Sequence, residues 1–126
     1  MKTLVFGASP NNYRYSNIAT LRLQQSGIEV IPTGINPGTI GGQIITDLNK
    51  KTIHQDIHTI TMYLNPRNQQ SWYQYILDLR PNRIIFNPGS ENPEFYKLLD
   101  QAGIHYQEDC TLVMLASNSY LLSGLV

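Results

Sequence analysis

The residues best suited to chemistry in this chain lie in a polar turn directly after its first apolar run. The run stops at Gly7, and Arg14 is the only fixed cation nearby. The hydroxyl and amide donors of the turn are Ser9, Ser16 and Asn17. A glycine here allows backbone amides to approach a phosphate group at the start of the next helix, so the turn predicts a pocket for an anion. Arg14 could also be a solvated side chain, and Ser9 could cap the helix instead.

Two further polar turns follow apolar runs in the same way. Asn65-Pro66 ends the run MYL, and Asn87-Pro88-Gly89 ends the run RIIF. In a parallel α/β sheet such turns meet at the carboxyl edge, where ligands of this architecture bind. The three turns are therefore predicted to line one cleft, although a simple tight turn explains Asn87-Pro88-Gly89 equally well.

The elements that must position these turns are apolar runs that alternate with helix-like patterns along the chain. Strands are predicted at residues 3–9, 28–33, the end of 52–64, 83–87 and 104–108, and helices at 16–27, 69–79 and 93–103. Pro32 is expected to end the second strand, because proline cannot donate to a central ladder. Residues 43–48 fit a short strand or a connector, and residues 110–126 fit either helix or strand. We predict one α/β domain over residues 1–126, a doubly wound three-layer sandwich with about five mostly parallel strands.

Composition narrows the classes of partner. Nine Lys plus Arg balance nine Asp plus Glu, so no basic field is present to attract nucleic acid. The single cysteine, Cys110, cannot form an intramolecular disulfide, and the chain begins without a charged leader or long apolar segment. No stretch approaches the ~18 apolar residues of a membrane span. We expect a soluble cytoplasmic protein without nucleic-acid or membrane partners.

Common nucleotide-binding motifs are incomplete in this chain. A dinucleotide fingerprint needs two glycines beyond Gly7 and an acidic residue after the second strand, where this chain has Thr33. A Walker loop is excluded because no Gly-Lys-Ser/Thr follows the first turn. NAD is therefore disfavoured, and a backbone-lined anion pocket is what the residues themselves predict.

Five segments, taken together and in order, resemble a known family. These are GASPNNYRYSN, IPTGINPGTIGG, MYLNP, IIFNPGSENPE and EDCTLVML. They closely resemble the small stand-alone CoA-binding domain proteins, which are related to the amino-terminal CoA-binding domain of succinyl-CoA ligase. The resemblance covers essentially the whole chain. It implies a Rossmann-like fold whose first loop takes the phosphates of coenzyme A or an acyl-CoA, with later loops along the nucleotide and pantetheine.

The resemblance also implies a set of ligand-binding residues in four loops. They are Gly7, Ala8, Ser9, Asn12, Arg14, Tyr15, Ser16 and Asn17 in the first loop, Thr33, Gly34 and Asn36 in the second, Leu64, Asn65 and Pro66 in the third, and Asn87, Pro88 and Gly89 in the fourth. The ligase relatives have a lysine in the glycine-rich stretch where this chain has Thr39. The phosphorylated histidine of the ligase lies in a further domain for which this chain has no room.

Other reactive side chains have structural explanations. His54 and His58 have a metal-binding spacing for a helix, but the second opens a strand pattern, in which the two lie too far apart to share an ion. We predict no metal site. Cys110 has no adjacent His or Lys to lower its pKa, so a structural thiol is expected.

The sequence favours a binding module over an enzyme, because no acid/base pair, Ser–His–Asp set or metal cluster is visible. An alternative is a small nucleotide-dependent enzyme, using NAD or CoA, in which Ser9, Glu91 or a loop asparagine handles the substrate. A third is an interaction protein that has lost its ligand. In that case the apolar tail at residues 121–126 could form a homodimer contact or bind in a groove of a partner protein.

Overall fold

The computed structural model describes residues 1–123, except for the side chain of Leu122. The strands are β1 Thr3–Phe6, β2 Val30–Gly34, β3 Thr39–Ile40, β4 Gln43–Ile44, β5 Thr46–Asp47, β6 Thr59–Met62, β7 Arg83–Phe86 and β8 His105–Glu108. Six of them form a parallel sheet in the order β5-β2-β1-β6-β7-β8, and β3 and β4 form an antiparallel hairpin. The chain moves outward from β1 to one edge and then returns to β6 on the other side of β1. This reversal makes the sheet doubly wound.

Helices cover both faces of the sheet. They are α1 Tyr15–Gln25, α2 Pro66–Gln69, α3 Tyr73–Leu79, α4 Pro93–Ala102, α5 Thr111–Ala116 and α6 Ser119–Ser123, with short 3₁₀ turns at Leu48–Lys50 and Gln70–Trp72. Because side chains alternate along a strand, Leu4 and Phe6 pack with the core under α3 and α4, whereas Val5 packs with the core under α1, α5 and α6. The result is a Rossmann-like three-layer α/β sandwich, which confirms the predicted fold class.

The sixth strand lies in the segment that the sequence left open. Residues 43–48 contain the end of the hairpin and the two-residue strand β5, which pairs with β2 at Thr33 and Gly34. The prediction that Pro32 ends the second strand is wrong, since β2 continues to Gly34. On the β5 side, β2 has no strand neighbour at Pro32, so the missing donor is not needed there. The side chain of Gln43 instead donates to the Val30 carbonyl at 2.9 Å.

Local capping signals fix several helix ends. The side chain of Asn65 accepts a hydrogen bond from the Asn68 amide, so helical structure begins at Pro66, before the predicted residue 69. The predicted helix is also interrupted by a 3₁₀ turn before α3. At α4 the prediction holds closely: Pro93 opens the helix, and Gly103 with φ 71° follows its last residue.

Candidate functional site

A cleft of about 400 Å³ lies at the carboxyl ends of β1 and β6, the two strands at which the sheet order reverses. We call it the carboxyl-edge cleft. Its lining residues are Gly7, Ala8, Ser9, Arg14, Tyr15, Ser16, Ile35, Asn36, Leu48, Tyr63, Leu64, Asn68 and Pro88. Ligands of open α/β sheets bind at such a reversal because the two flanking loops diverge there.

The structure brings part of the predicted set together in this cleft. Those that line it are Gly7, Ala8, Ser9, Arg14, Tyr15, Ser16, Asn36, Leu64 and Pro88. Those that do not line it are Asn12, Asn17, Thr33, Gly34, Asn65, Pro66, Asn87 and Gly89. All four predicted loops are represented in the lining, so the loops do meet at one edge of the sheet.

The backbone amides of the first turn are used in two different ways. The Gly7 and Ala8 amides both donate to the Thr33 carbonyl, at 2.9 and 2.8 Å, which extends the pairing of β1 and β2 beyond the strand. Tyr15 and Ser16, in contrast, belong to the first turn of α1, whose amides have no carbonyl within the helix to bind. The amides offered to an anion are therefore those of the helix start, where the helix dipole is also positive.

Two glycines allow the loops to pack this closely. Gly7 has φ 98°, and a Cβ there would lie 2.9 Å from Cδ2 of Leu64. At Gly34 a Cβ would lie only 2.1 Å from the Ala8 carbonyl oxygen. Close packing of the first turn against Leu64 and Gly34 thus forms the floor of the cleft, and Gly34 supports the turn without lining the cleft itself.

Polar side chains hold the first turn in shape. The Asn17 side chain is buried and donates to the Ser9 carbonyl at 2.9 Å. The Ser9 hydroxyl accepts from the Asn11 amide at 3.1 Å, and Arg14, not Ser9, occupies the N-cap position of α1 without a side-chain cap bond. The turn is therefore ordered by its own residues, and no side chain caps the start of α1.

Asn87 links the core of the fold rather than the cleft surface. It is 3% exposed, and its amide group donates to the Thr61 hydroxyl at 2.8 Å and to the Met62 carbonyl at 2.9 Å. Its side-chain oxygen accepts from the Thr111 amide at 2.9 Å. These three bonds fix the loop after β7, which carries Pro88 to the cleft.

The fixed charge of the carboxyl-edge cleft is positive among its described lining residues. Among its described lining residues, Arg14 is the only fixed cation, and none is an aspartate or a glutamate. Arg14 is exposed, so its guanidinium can turn towards a ligand. A cleft with an open helix start, one arginine and no carboxylate attracts an anionic group.

Sequence reasoning missed four of the lining residues, which are Ile35, Leu48, Tyr63 and Asn68. Tyr63 directly precedes the predicted residue Leu64, and Ile35 lies between the predicted residues Gly34 and Asn36, so both are sequence neighbours of predicted residues. Leu48 follows β5, and the pairing of β5 with β2 brings it to the cleft, so no local sequence signal marks it. Burial raises the pKa of Tyr63 to about 12, so its phenol stays protonated at neutral pH and can donate a hydrogen bond.

A smaller pocket of about 180 Å³ adjoins the cleft beyond the second loop. It is lined by Gly34, Ile35, Asn36, Pro37, Ile45 and Asp47. Ile35 and Asn36 belong to both spaces, and Ile35 is an exposed apolar side chain in an otherwise polar loop. An extended ligand could therefore pass from the cleft across the second loop.

The remaining expectations concern metal binding, membrane insertion and a homodimer, and the structure bears on them over residues 1–123. Within this range no cluster of three or more His, Cys, Asp or Glu residues has the geometry to hold a metal ion. Nor does this range contain a helix with the length and hydrophobicity needed to cross a bilayer. Of the apolar tail proposed for a homodimer contact, Leu121 is exposed, and residues 124–126 lie outside the described part. The homodimer stays a prediction.

Comparison with known proteins identifies the family of this chain. The family model described as a CoA binding domain matches residues 1–116. This chain belongs to the CoA-binding domain family. The match supports CoA as the general class of ligand for this CoA-binding domain, and it confirms the resemblance found in the sequence. A search of curated proteins finds no significant match.

Solved structures show the same fold. The structure of an uncharacterized protein has 43% identity and a TM-score of 0.90, with 94% of this chain and 97% of that protein covered. A conserved hypothetical protein from Pyrococcus furiosus has 26% identity and a TM-score of 0.79, with coverage of 89% and 97%. The protein called cell-free ID.343 from Thermus thermophilus has 21% identity, a TM-score of 0.81 and coverage of 94% and 90%. The last of these shows the fold alone.

Proposed function

We propose that this CoA-binding domain holds coenzyme A or an acyl-CoA in the carboxyl-edge cleft and does so without catalysis. The observation that carries the proposal is the uncapped start of α1, which opens onto a cleft containing Arg14 and no described carboxylate. The diphosphate would accept hydrogen bonds from the amides at Tyr15 and Ser16. Family membership supplies the ligand class that the residues alone leave open.

The rest of the ligand would extend over the later loops. Tyr63, Leu64 and Pro88 form one wall of the cleft, and Ile35 and Asn36 lead into the adjoining pocket. These side chains combine apolar surface with a few hydrogen-bonding groups, as is usual where proteins bind small molecules. They suit the pantetheine arm, which carries two amide groups on an otherwise apolar chain.

The lining chemistry favours binding over turnover. No histidine, cysteine, aspartate or glutamate is among the described residues of the cleft. Tyr63, with its pKa raised to about 12, holds its proton too tightly for general acid–base catalysis near neutral pH. The alternative of a small CoA-using or NAD-using enzyme therefore has less support from the cleft than binding has.

A thermal-shift series with CoA, acetyl-CoA, NAD, NADP and ATP tests the proposal. A ligand at 100 times its dissociation constant adds about 2.7 kcal/mol of apparent stability, so CoA should raise the melting temperature and NAD should not. In Ser9→Glu a carboxylate replaces the hydroxyl beside the helix start, and repulsion of the phosphates should abolish the CoA shift.

Ser26→Glu provides the matched control. Ser26 is exposed at the opposite end of α1, and the substitution makes the same change of charge. It should leave the CoA shift intact. An undiminished CoA shift in Ser9→Glu, or an equal response to NAD, would contradict the proposed site.

A further inference from the structure

A second cleft, of about 520 Å³, lies at the opposite edge of the sheet, where β7 and β8 begin. We call it the amino-edge cleft, and its polar lining consists of His58, Arg80, Asn82, Arg83, His105 and Ser123. Thr59, Arg83 and His105 occupy one row across β6, β7 and β8. The proposed CoA site, at the carboxyl ends of the strands, makes no use of these residues.

Arg83 is buried at this edge with only neutral partners among the described residues. It is 1% exposed, and its Nε donates to the Thr59 hydroxyl at 3.1 Å. Its Nη1 donates to the Tyr120 carbonyl at 2.9 Å and to the Ser123 hydroxyl at 2.7 Å, and its guanidinium lies 4.6 Å from the centre of the Tyr120 ring. Within residues 1–123, the single ion pair joins Lys2 to Glu29, so no aspartate or glutamate of this range pairs with Arg83.

One nitrogen of Arg83 remains without an acceptor. Nη2 is buried and has no hydrogen-bond partner in the described part of the protein. A buried cation with an unsatisfied donor is costly, and proteins normally pair such a group with an anion. Arg83 thus brings a charge and an unsatisfied donor, both buried, to the lining of the amino-edge cleft.

A second arginine adds positive charge to the lining. Arg80 is exposed in the same lining, and His105 stands beside Arg83 on β8. Neither aspartate nor glutamate occurs among the lining residues that the structure describes. A chain of zero net charge has therefore gathered two arginines and two histidines around one cleft.

We infer that the amino-edge cleft binds a small molecule through its phosphate group, with Arg83 and Arg80 as the direct ligands. Arginine donors suit phosphate oxygens, because the planar guanidinium offers paired N–H groups. A doubly charged phosphate matches two guanidiniums better than a singly charged carboxylate does. This second site lies at the edge of the sheet opposite the carboxyl-edge cleft, so its ligand does not compete with CoA.

The test is a titration of the ¹⁵N-labelled full chain with inorganic phosphate, followed by amide chemical shifts. Saturable shifts should occur at Asn82, Gly103 and His105, and acetate at the same ionic strength should shift them at least tenfold more weakly. Shifts confined to the first turn of α1, or equal responses to acetate and phosphate, would overturn the inference.

Variants identify the ligating side chains. Arg83→Met should remove the phosphate response, and because Arg83 also holds α6, Arg80→Gln serves as a second variant on an exposed residue. Arg80→Gln should raise the dissociation constant for phosphate at least tenfold. Arg22→Gln, an exposed arginine on α1, is the control and should change nothing. An unchanged dissociation constant in Arg80→Gln would contradict the assignment.

Discussion

Tyr63 is the residue at which the carboxyl-edge cleft meets the protein interior. It follows β6, lines the cleft and is largely withdrawn from solvent. Desolvation is the largest cause that raises its pKa to about 12, although hydrogen bonds with Thr61 and Thr111 act in the opposite direction. The neutral phenol is therefore the form that the folded state stabilises.

Because this pKa is raised, the free energy of unfolding should decrease at alkaline pH. The free phenol titrates near pH 10, so between about pH 10 and pH 12 the unfolded chain loses this proton while the folded chain keeps it. The stabilisation by Tyr63 is complete below pH 10 and disappears as the pH rises through 12, which lowers the free energy of unfolding by about 3 kcal/mol. Urea unfolding at pH 9 to 12 should show a smaller loss of unfolding free energy in Tyr63→Phe than in the wild type.

Tyr13→Phe is the control, since Tyr13 is exposed. Its unfolding free energy should follow the wild-type curve. Parallel curves for Tyr63→Phe and the wild type would show that Tyr63 is not the group responsible.

Among the elements, Asn87 connects β7 to β6 and to the start of α5. Asn87→Asp keeps the shape of the side chain but removes both donors, and it places an oxygen against the Met62 carbonyl. The expected loss of unfolding free energy is about 2 to 4 kcal/mol, because buried acceptors lose their partners and a carboxylate is buried. Urea denaturation measures this loss.

Asn49→Asp, at an exposed position, is the matched control and should change stability by no more than about 0.5 kcal/mol. A loss below about 1 kcal/mol for Asn87→Asp would show that its three hydrogen bonds do not hold the elements together.

The elements also show which structure can be predicted from a sequence. The helix α4 was found because its signals are local: Pro93 at its start and Gly103 after its end. The helix α5 was not, because its first amide, that of Thr111, donates to the side chain of Asn87, which lies far away in the sequence, in the loop after β7. The prediction that Pro32 ends the second strand was wrong for the same reason. Whether a strand tolerates a proline depends on its neighbour, and β5 pairs with β2 only at Thr33 and Gly34.

Some residues of the candidate site can also be predicted from local sequence, whereas others are placed only by the fold. The turn containing Gly7, Ser9 and Arg14 can be predicted from the sequence, because a glycine, a hydroxyl and a cation follow one apolar run. Leu48 enters the cleft only through tertiary packing, and no local pattern marks it. The hydrogen bond from the Gly7 amide to the Thr33 carbonyl likewise depends on the pairing of β1 with β2, which local sequence does not reveal.

For the whole molecule, burial predicts an uneven distribution of stability. Apolar side chains of β1, β6 and β7, such as Leu4, Ile60 and Ile84, are fully buried, whereas Ile44 in the hairpin is 77% exposed. Amides of the three central strands should exchange with solvent only by global unfolding, and those of β3 and β4 at least 100-fold faster through local opening. Native-state hydrogen exchange measures both rates, and equal protection in the hairpin would contradict this distribution.

The contact between Gly34 and the Ala8 carbonyl has a consequence for protein engineering. Any library that diversifies this scaffold for new small-molecule specificities must keep position 34 invariant, because even a methyl group there would collide with the main chain of the neighbouring loop. Variation belongs at Asn36, Asn68 and Pro88, whose side chains border the cleft without supporting its floor. In this scaffold, the positions that would determine ligand selectivity are therefore different from the position that maintains the loop packing.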